Sequence, residues 1–201
     1  MIALGIAGGI GSGKTAFARR LGTHPGVRVV YADEVARALM HDDPAVRGQL
    51  VRRFGEDVFD GQGRLDRAAL AARVFADAAE REALNAIVHP AVRSALREAL
   101  RQAEADGVRL FVYEAALLFE VGGDRLMDVT ALVDAPPALR LARAAARDGA
   151  DPEQIRARMA AQMDPAAARA RATFVVDNSG DLGALHAQAD ALYRRLTDPD
   201  A

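Results

Sequence analysis

The sequence predicts an α/β fold, a parallel sheet covered by helices on both faces. Three observations carry that expectation. Short uninterrupted apolar runs recur along the chain, helical patterns alternate with them, and the first run ends in a glycine-rich turn that opens a helix. Strands buried on both faces read as continuous apolar runs, and alternation with helices supplies the crossovers that parallel neighbours require.

Ile2 to Ala7 is the first such strand, Gly8 to Thr15 the turn, and Lys14 to Leu21 the helix leaving it. Val27 to Tyr31 is a second β-branched run, followed by Asp33 and a helix over Glu34 to Met40. Asp43-Pro44 supplies an N-cap and a proline at the first helical position, and from there to about residue 106 the chain reads as mostly helical. Gly55 to Leu65 interrupts it with a turn. Val92, Ala95, Leu96, Ala99, Leu100 and Ala103 form one apolar helix face, with Arg93, Arg97 and Arg101 on the solvated side. Strand patterns return at Val108 to Tyr113 and Val129 to Val133. Pro136-Pro137 opens a helix to about Ala146, and Asp151-Pro152-Glu153-Gln154 opens another over residues 152–163. Phe174 to Val176 is the last strand. Asp181 then caps a closing helix with Leu182, Leu185, Ala189, Leu192 and Leu196 turned inward. The expected organisation is a single domain, 1–201. Its core comprises about 1–40, 107–147 and 172–201, with insertions over about 41–106 and 148–171 at the functional edge.

Composition narrows the function classes. A chain of 201 residues with 51% hydrophobic and 27% charged residues builds a core and is not disordered. A net charge of −2 gives no electrostatic footprint for nucleic acid or an anionic membrane. The absence of cysteine removes disulfides, thiolate zinc sites and cysteine nucleophiles. No apolar run approaches the roughly 18 residues of a membrane span, and the apolar start lacks the basic flank of a signal peptide. The expectation is a soluble cytoplasmic protein, monomeric by default. His24, His41 and His186 have no partners at metal-ligand spacing, so no zinc site is expected.

Gly8-Gly9-Ile10-Gly11-Ser12-Gly13-Lys14-Thr15 fits G-x-x-x-x-G-K-[ST], with the strand before it and the helix after it that such a phosphate-binding loop (P-loop) requires. Glycines let successive N–H groups turn toward an anion, and the helix N-terminus adds its positive end. Lys14 supplies a mobile charge for the β- and γ-phosphates, and the Thr15 hydroxyl is placed to hold Mg²⁺. From the chain's own composition such a match arises by chance with probability about 3 × 10⁻⁴ over ~200 starting positions. Of 26 basic residues 25 are arginine, so the only lysine falls in this loop. Without a second lysine there is no N-K-x-D guanine motif, and no L-S-G-G-Q transporter signature is present. A phosphotransferase of small substrates is the class that remains.

On the acceptor side, Asp33 follows the second strand by two residues, at the sheet edge where the loop also lies. A carboxylate there orients a hydroxyl acceptor and takes its proton; the plainer reading is a cap for the next helix. Arg140, Arg143 and Arg147 share one helix face at i, i+3 and i+7 before the hinge Asp148-Gly149-Ala150. Arginines on a mobile lid clamp a phosphoryl group, although arginine is common throughout this chain. His89 has no role that spacing decides.

Together these segments resemble the dephospho-CoA kinase family over nearly the whole chain. The P-loop, Tyr31-Ala32-Asp33-Glu34-Val35-Ala36-Arg37, Leu84-Asn85-Ala86-Ile87-Val88-His89-Pro90, Leu117-Leu118-Phe119-Glu120, Arg143 through Arg147-Asp148-Gly149, Gln162-Met163 and Asp177-Asn178-Ser179-Gly180 are each similar to a family segment. The resemblance implies a P-loop kinase fold of five parallel strands with a helical substrate lobe and a lid. It implies ATP and dephospho-CoA as substrates with Mg²⁺, and phosphorylation of the ribose 3′-hydroxyl in the last step of coenzyme A synthesis. Asp33 becomes the base, and Lys14, Arg143 and Arg147 the phosphate clamp. Gly8, Gly9, Gly11, Ser12, Gly13, Lys14, Thr15, Ala16 and Asn178 contact ATP. Asn85, His89 and Leu117, Leu118, Phe119 and Glu120 line the acceptor site with Asp33. Three segments depart from the family pattern: Ala116 for a proline, Lys14-Thr15-Ala16 for Lys-Ser-Thr, and Thr173 for an aspartate.

Overall fold

The computed structural model describes residues 1–198, apart from the side chains of Phe75 and Ala76; the last three residues of the expected core lie outside the described residues. Five strands, β1 (Ile2–Ala7), β2 (Val27–Tyr31), β3 (Leu110–Glu114), β4 (Val129–Asp134) and β5 (Phe174–Asp177), form one sheet in the order β2-β3-β1-β4-β5, every neighbouring pair parallel. The apolar runs therefore became the strands of a parallel sheet, as expected. The third strand starts later than its apolar run. Gly107 makes a left-handed turn (φ 70°) and the Arg109 N–H donates to Gly26 O, so regular pairing begins at Leu110 and extends to Glu114.

Nine helices are described: α1 (Lys14–Leu21), α2 (Ala32–Asp42), α3 (Pro44–Phe54), α4 (Arg67–Ala76), α5 (Ala78–Ala105), α6 (Pro137–Asp148), α7 (Pro152–Ala160), α8 (Pro165–Arg171) and α9 (Leu182–Thr197). The chain divides into two compact units. Met1–Tyr31 with Leu100–Ala201 carries the sheet; Ala32–Ala99 is helical and takes in α2 along with the helices that follow it.

In the sheet unit, Leu4, Ile6, Leu110, Val112, Ala131 and Val133 pack with Phe17 and Leu21 of α1 and Leu185, Ala189 and Leu192 of α9. Side chains alternate across the sheet, so the neighbouring residues face the other way. There Gly5 admits Leu118 so closely that an added Cβ would lie 2.8 Å from Leu118 Cδ2. Leu182, expected inside α9, is 57% exposed because it sits in the first turn, before the helix reaches the sheet; Leu196 is half-buried.

The helical unit has its own core of Val46, Leu50, Phe54, Val58, Leu70 and Val74. Asp43 caps α3 and Asp66 caps α4, each accepting two backbone N–H bonds. The expected apolar face of α5 is buried or half-buried from Val92 to Ala103, and Arg93, Arg97 and Arg101 are exposed. The segment after α6 holds two helices where one was expected over 152–163. Asp164 accepts the Ala166 and Ala167 N–H groups and Pro165 takes the first position, so the chain stops after Ala160 and restarts. No helix among the described residues is long and apolar enough to cross a membrane.

Candidate active site

The loop from β1 to α1 is shaped by glycines that no other residue replaces cheaply. Gly11 (φ 74°) and Gly13 (φ 94°) lie in the left-handed region, and Gly13 occupies the N-cap of α1 without a side-chain cap. The helix start therefore keeps backbone donors for a ligand, and no acidic residue stands in its first turn to compete. Ser12 is buried and its Oγ has no protein partner. Lys14, Thr15 and Ala16 follow, each half-buried, and Lys14 Nζ lies 3.7 Å from Glu114 Oε1.

Glu114 is a site residue that sequence reasoning passed over. It ends β3 directly opposite Ile6 of β1, which brings a buried carboxylate to the lysine. The signal was a lone acid closing the apolar run Leu110 to Tyr113, but only the β1–β3 register gives it a partner.

Hydrogen bonds brace the loop from behind. Asn178 Nδ2 donates to Ser12 O (2.7 Å), and its own N–H donates to Asp134 O (2.7 Å). Arg143 donates to Asn178 O (2.9 Å) and Gly180 O (3.2 Å). Arg147 turns instead to Asp148, whose carboxyl is held below its usual range chiefly by that hydrogen bond, and Arg158 of α7 reaches the same carboxylate. Gly149 takes the left-handed C-cap of α6 (φ 60°), at the expected hinge. Thus the three arginines on one face of α6 go to three different places, and Arg140 is the one the fold buries. Its Nε donates to Ile10 O (3.0 Å), and burial lowers its pKa.

The residues joining α7 to α8 also reach the loop. Gln162 Oε1 accepts from the Ile10 N–H (2.9 Å), and the Met163 N–H donates to Glu120 Oε1 (3.1 Å). Within the Leu117 to Glu120 segment, Leu118 and Phe119 are buried while Leu117 and Glu120 are exposed. Arg171 donates to Phe119 O (3.1 Å) and lies over the Phe119 ring. A cavity of about 430 Å³ opens here, lined among others by Gly8, Gly9, Phe119, Arg140, Met159 and Met163. Ala116 lines it as well. Thr173 exchanges backbone-to-hydroxyl hydrogen bonds with Thr130, fastening the entrance of β5 to β4.

The remaining candidates belong to the helical unit. Asp33 is exposed in the first turn of α2, which begins directly after β2, so it stands inside the helix rather than at a cap position before it. Asn85 and His89 lie one turn apart on α5, both half-buried; burial and then the nearby Arg93 lower the His89 pKa. Among the described residues no cluster of three or more acidic or histidine side chains forms a protein cage for a metal. The Thr15 hydroxyl still fits Mg²⁺, an ion that keeps its waters and takes few protein ligands beside substrate phosphates.

The model of the dephospho-CoA kinase family matches residues 2–183. A dephospho-CoA kinase of Deinococcus radiodurans is 47% identical over 193 residues, 96% of this chain and 91% of that protein. One from Salinibacter ruber is 44% identical over 197 residues, 98% of each chain. A solved structure from Thermus thermophilus superimposes with a TM-score of 0.80 at 40% identity, covering 98% of both chains.

Proposed function

Because the chain belongs to the dephospho-CoA kinase family, we propose that it transfers the γ-phosphoryl group of ATP to the ribose 3′-hydroxyl of dephospho-CoA, releasing CoA and ADP. The observation that carries this reading is the loop Gly8–Thr15, whose open helix N-terminus and lysine are built for a polyphosphate. The match to the family supplies the acceptor.

In this reading Gly8, Gly9, Gly11, Ser12, Gly13, Lys14, Thr15 and Ala16 cradle the phosphates, and Asn178 stands on the adenine side while bracing the loop. Asp33 accepts the proton of the 3′-hydroxyl as its oxygen attacks the γ-phosphorus and the bond to ADP breaks. Lys14, Arg143 and Arg147 offset the charge that develops on the transferred group. When ATP arrives, Lys14 exchanges its 3.7 Å contact with Glu114 for phosphate oxygens, a preorganised donor moving a short distance. Thr15 would hold Mg²⁺, which neutralises phosphate charge when bound. Asn85, His89 and Leu117 to Glu120 position the acceptor; burial lowers the His89 pKa and so favours the neutral ring, which hydrogen-bonds without adding charge. Residues 41–106 serve as the acceptor lobe and 148–171 as the lid. The protein acts on small molecules as a cytoplasmic monomer.

The test is ADP release from Mg-ATP with dephospho-CoA, beside a panel of sugars and nucleosides. Strong stimulation by dephospho-CoA alone, with CoA as product, is expected. ATP binding without that stimulation would mean another acceptor.

A further inference from the structure

Arg140 is 6% exposed, and its guanidinium crosses the tip of the phosphate loop so closely that a Cβ on Gly9 would fall 1.9 Å from its Nη2. Among the described residues no carboxylate forms an ion pair with it. Asp134, the acid that acts on it through space, is committed elsewhere: Arg169 lies 2.5 Å from its Oδ2, and its Oδ1 accepts the Ala135 N–H (2.9 Å). A buried cation with no carboxylate in direct contact is costly. Such a group is well suited to a place where an anion arrives.

The position of that anion is marked. Gln162 Oε1 takes hydrogen bonds from two directions, the Ile10 N–H at 2.9 Å and Arg140 Nη2 at 3.3 Å. Two donors converging on one point fix the amide oxygen, not its nitrogen, as the atom between them. A charged phosphoryl oxygen is a stronger acceptor for both donors than a neutral amide.

We propose that the Ile10 N–H and the Arg140 guanidinium form an oxyanion pocket for a terminal oxygen of the γ-phosphoryl group of a nucleoside triphosphate, and that the Gln162 amide oxygen fills this pocket until the nucleotide displaces it. The inference rests on the reading of Gly8–Thr15 as the triphosphate cradle and is independent of the acceptor. It adds Arg140 to the groups that touch the transferred phosphoryl. It also makes Gln162 a competitor that leaves when the terminal phosphate is present.

Calorimetric titration with ADP and with the β,γ-imido analogue of ATP, both with Mg²⁺ and without acceptor, tests this directly. Arg140→Gln should weaken the analogue on the order of 10- to 100-fold while changing ADP less than about threefold. Arg140→Lys should recover part of the loss. Gln162→Ala removes the competitor, so it should tighten the analogue severalfold and leave ADP unchanged. Equal losses for both nucleotides in Arg140→Gln would reduce Arg140 to a brace for the loop and overturn the proposal. Should Arg140→Gln not fold, by its melting curve, Gln162→Ala decides: an unchanged ratio of analogue to ADP affinity overturns the proposal equally. Wild-type protein that binds neither nucleotide would refute the cradle itself. Selective analogue binding without ADP release on adding dephospho-CoA would refute only the acceptor.

Discussion

The sheet unit and the helical unit are held together in different ways. In the sheet unit, Leu4, Ile6, Phe17, Leu21, Leu110 and Val112 are wholly excluded from solvent, and the loop beside them is braced by hydrogen bonds such as Asn178 to Ser12 O. In the helical unit the core is smaller, and α2 has no fully buried residue. Ion pairs such as Arg53 with Glu80, Arg64 with Asp60 and Arg73 with Asp57 are solvent-exposed, so water screens them and they add little. The groups proposed to hold ATP thus sit in a deeply packed frame, whereas Asp33, Asn85 and His89 ride on helices with a thinner core. A kinase gains from that division. The donor phosphates need fixed dipoles, and the groups proposed to hold the acceptor would have to admit and release a large substrate.

The largest expected effect comes from Asp33→Asn, which should cut turnover roughly 10²- to 10⁴-fold and leave ATP affinity nearly unchanged, since the loop Gly8–Thr15 proposed to hold the phosphates belongs to the other unit. Steady-state rates with nucleotide titration decide it; a parallel loss of ATP affinity would erase the distinction between the units. Phe17→Ala should destabilise the sheet unit by about 3–5 kcal/mol and weaken nucleotide binding with it, seen in denaturant melts with and without ATP. Leu50→Ala, expected to cost about 2–5 kcal/mol, should raise hydrogen exchange over residues 32–99 while β1 stays protected. Equal loosening of β1 would show one cooperative unit instead of two.

The smallest effect concerns the sheet unit's rim. Asp190 of α9 is held at about 2, first by its hydrogen bonds from Arg20, with His24 adding to them. The folded value lies below the unfolded one, so the stabilisation is present above the unfolded pKa of about 4 and fades as pH falls toward 2. Asp190→Asn should therefore lower stability by about 1 kcal/mol at pH 7, solvent screening included, and by little at pH 2. A gap persisting in urea melts at pH 2 would assign Asp190 to packing.

The five strands and the phosphate loop were legible because both are local patterns: apolar runs of strand length, and glycines around one lysine. The helix from Asp181 and the exposed arginines of α5 were legible for the same reason. The break before α5 was not, because Asp77 ends α4 in extended geometry with neither glycine nor proline to announce it. The restart at Asp164-Pro165 carried the same signature as Asp151-Pro152, but it lay inside what looked like one continuous helix. Spacing placed Arg140, Arg143 and Arg147 on one face, yet their destinations depend on which loops approach α6. Ile10 and Gln162 surround Arg140, Asn178 and Gly180 receive Arg143, and Asp148 takes Arg147. Glu114 likewise acquires its partner only through strand order, which no local pattern encodes.

The central position of β1 has a consequence for how the protein is made. Ile2 pairs with Leu110 and Leu4 with Val129, and α9 closes the core over them, so the strand leading into the phosphate loop waits for the far end of the chain. The core of the helical unit, from Val46 to Val74, lies within Ala32–Ala99 and is complete much earlier in translation. On the ribosome the helical unit is therefore expected to fold first, and the loop Gly8–Thr15, though it precedes that unit in the chain, to be organised last. Nascent chains arrested after residue 134 should resist protease across 32–99 and be cut in α1, whereas the finished chain should resist in both.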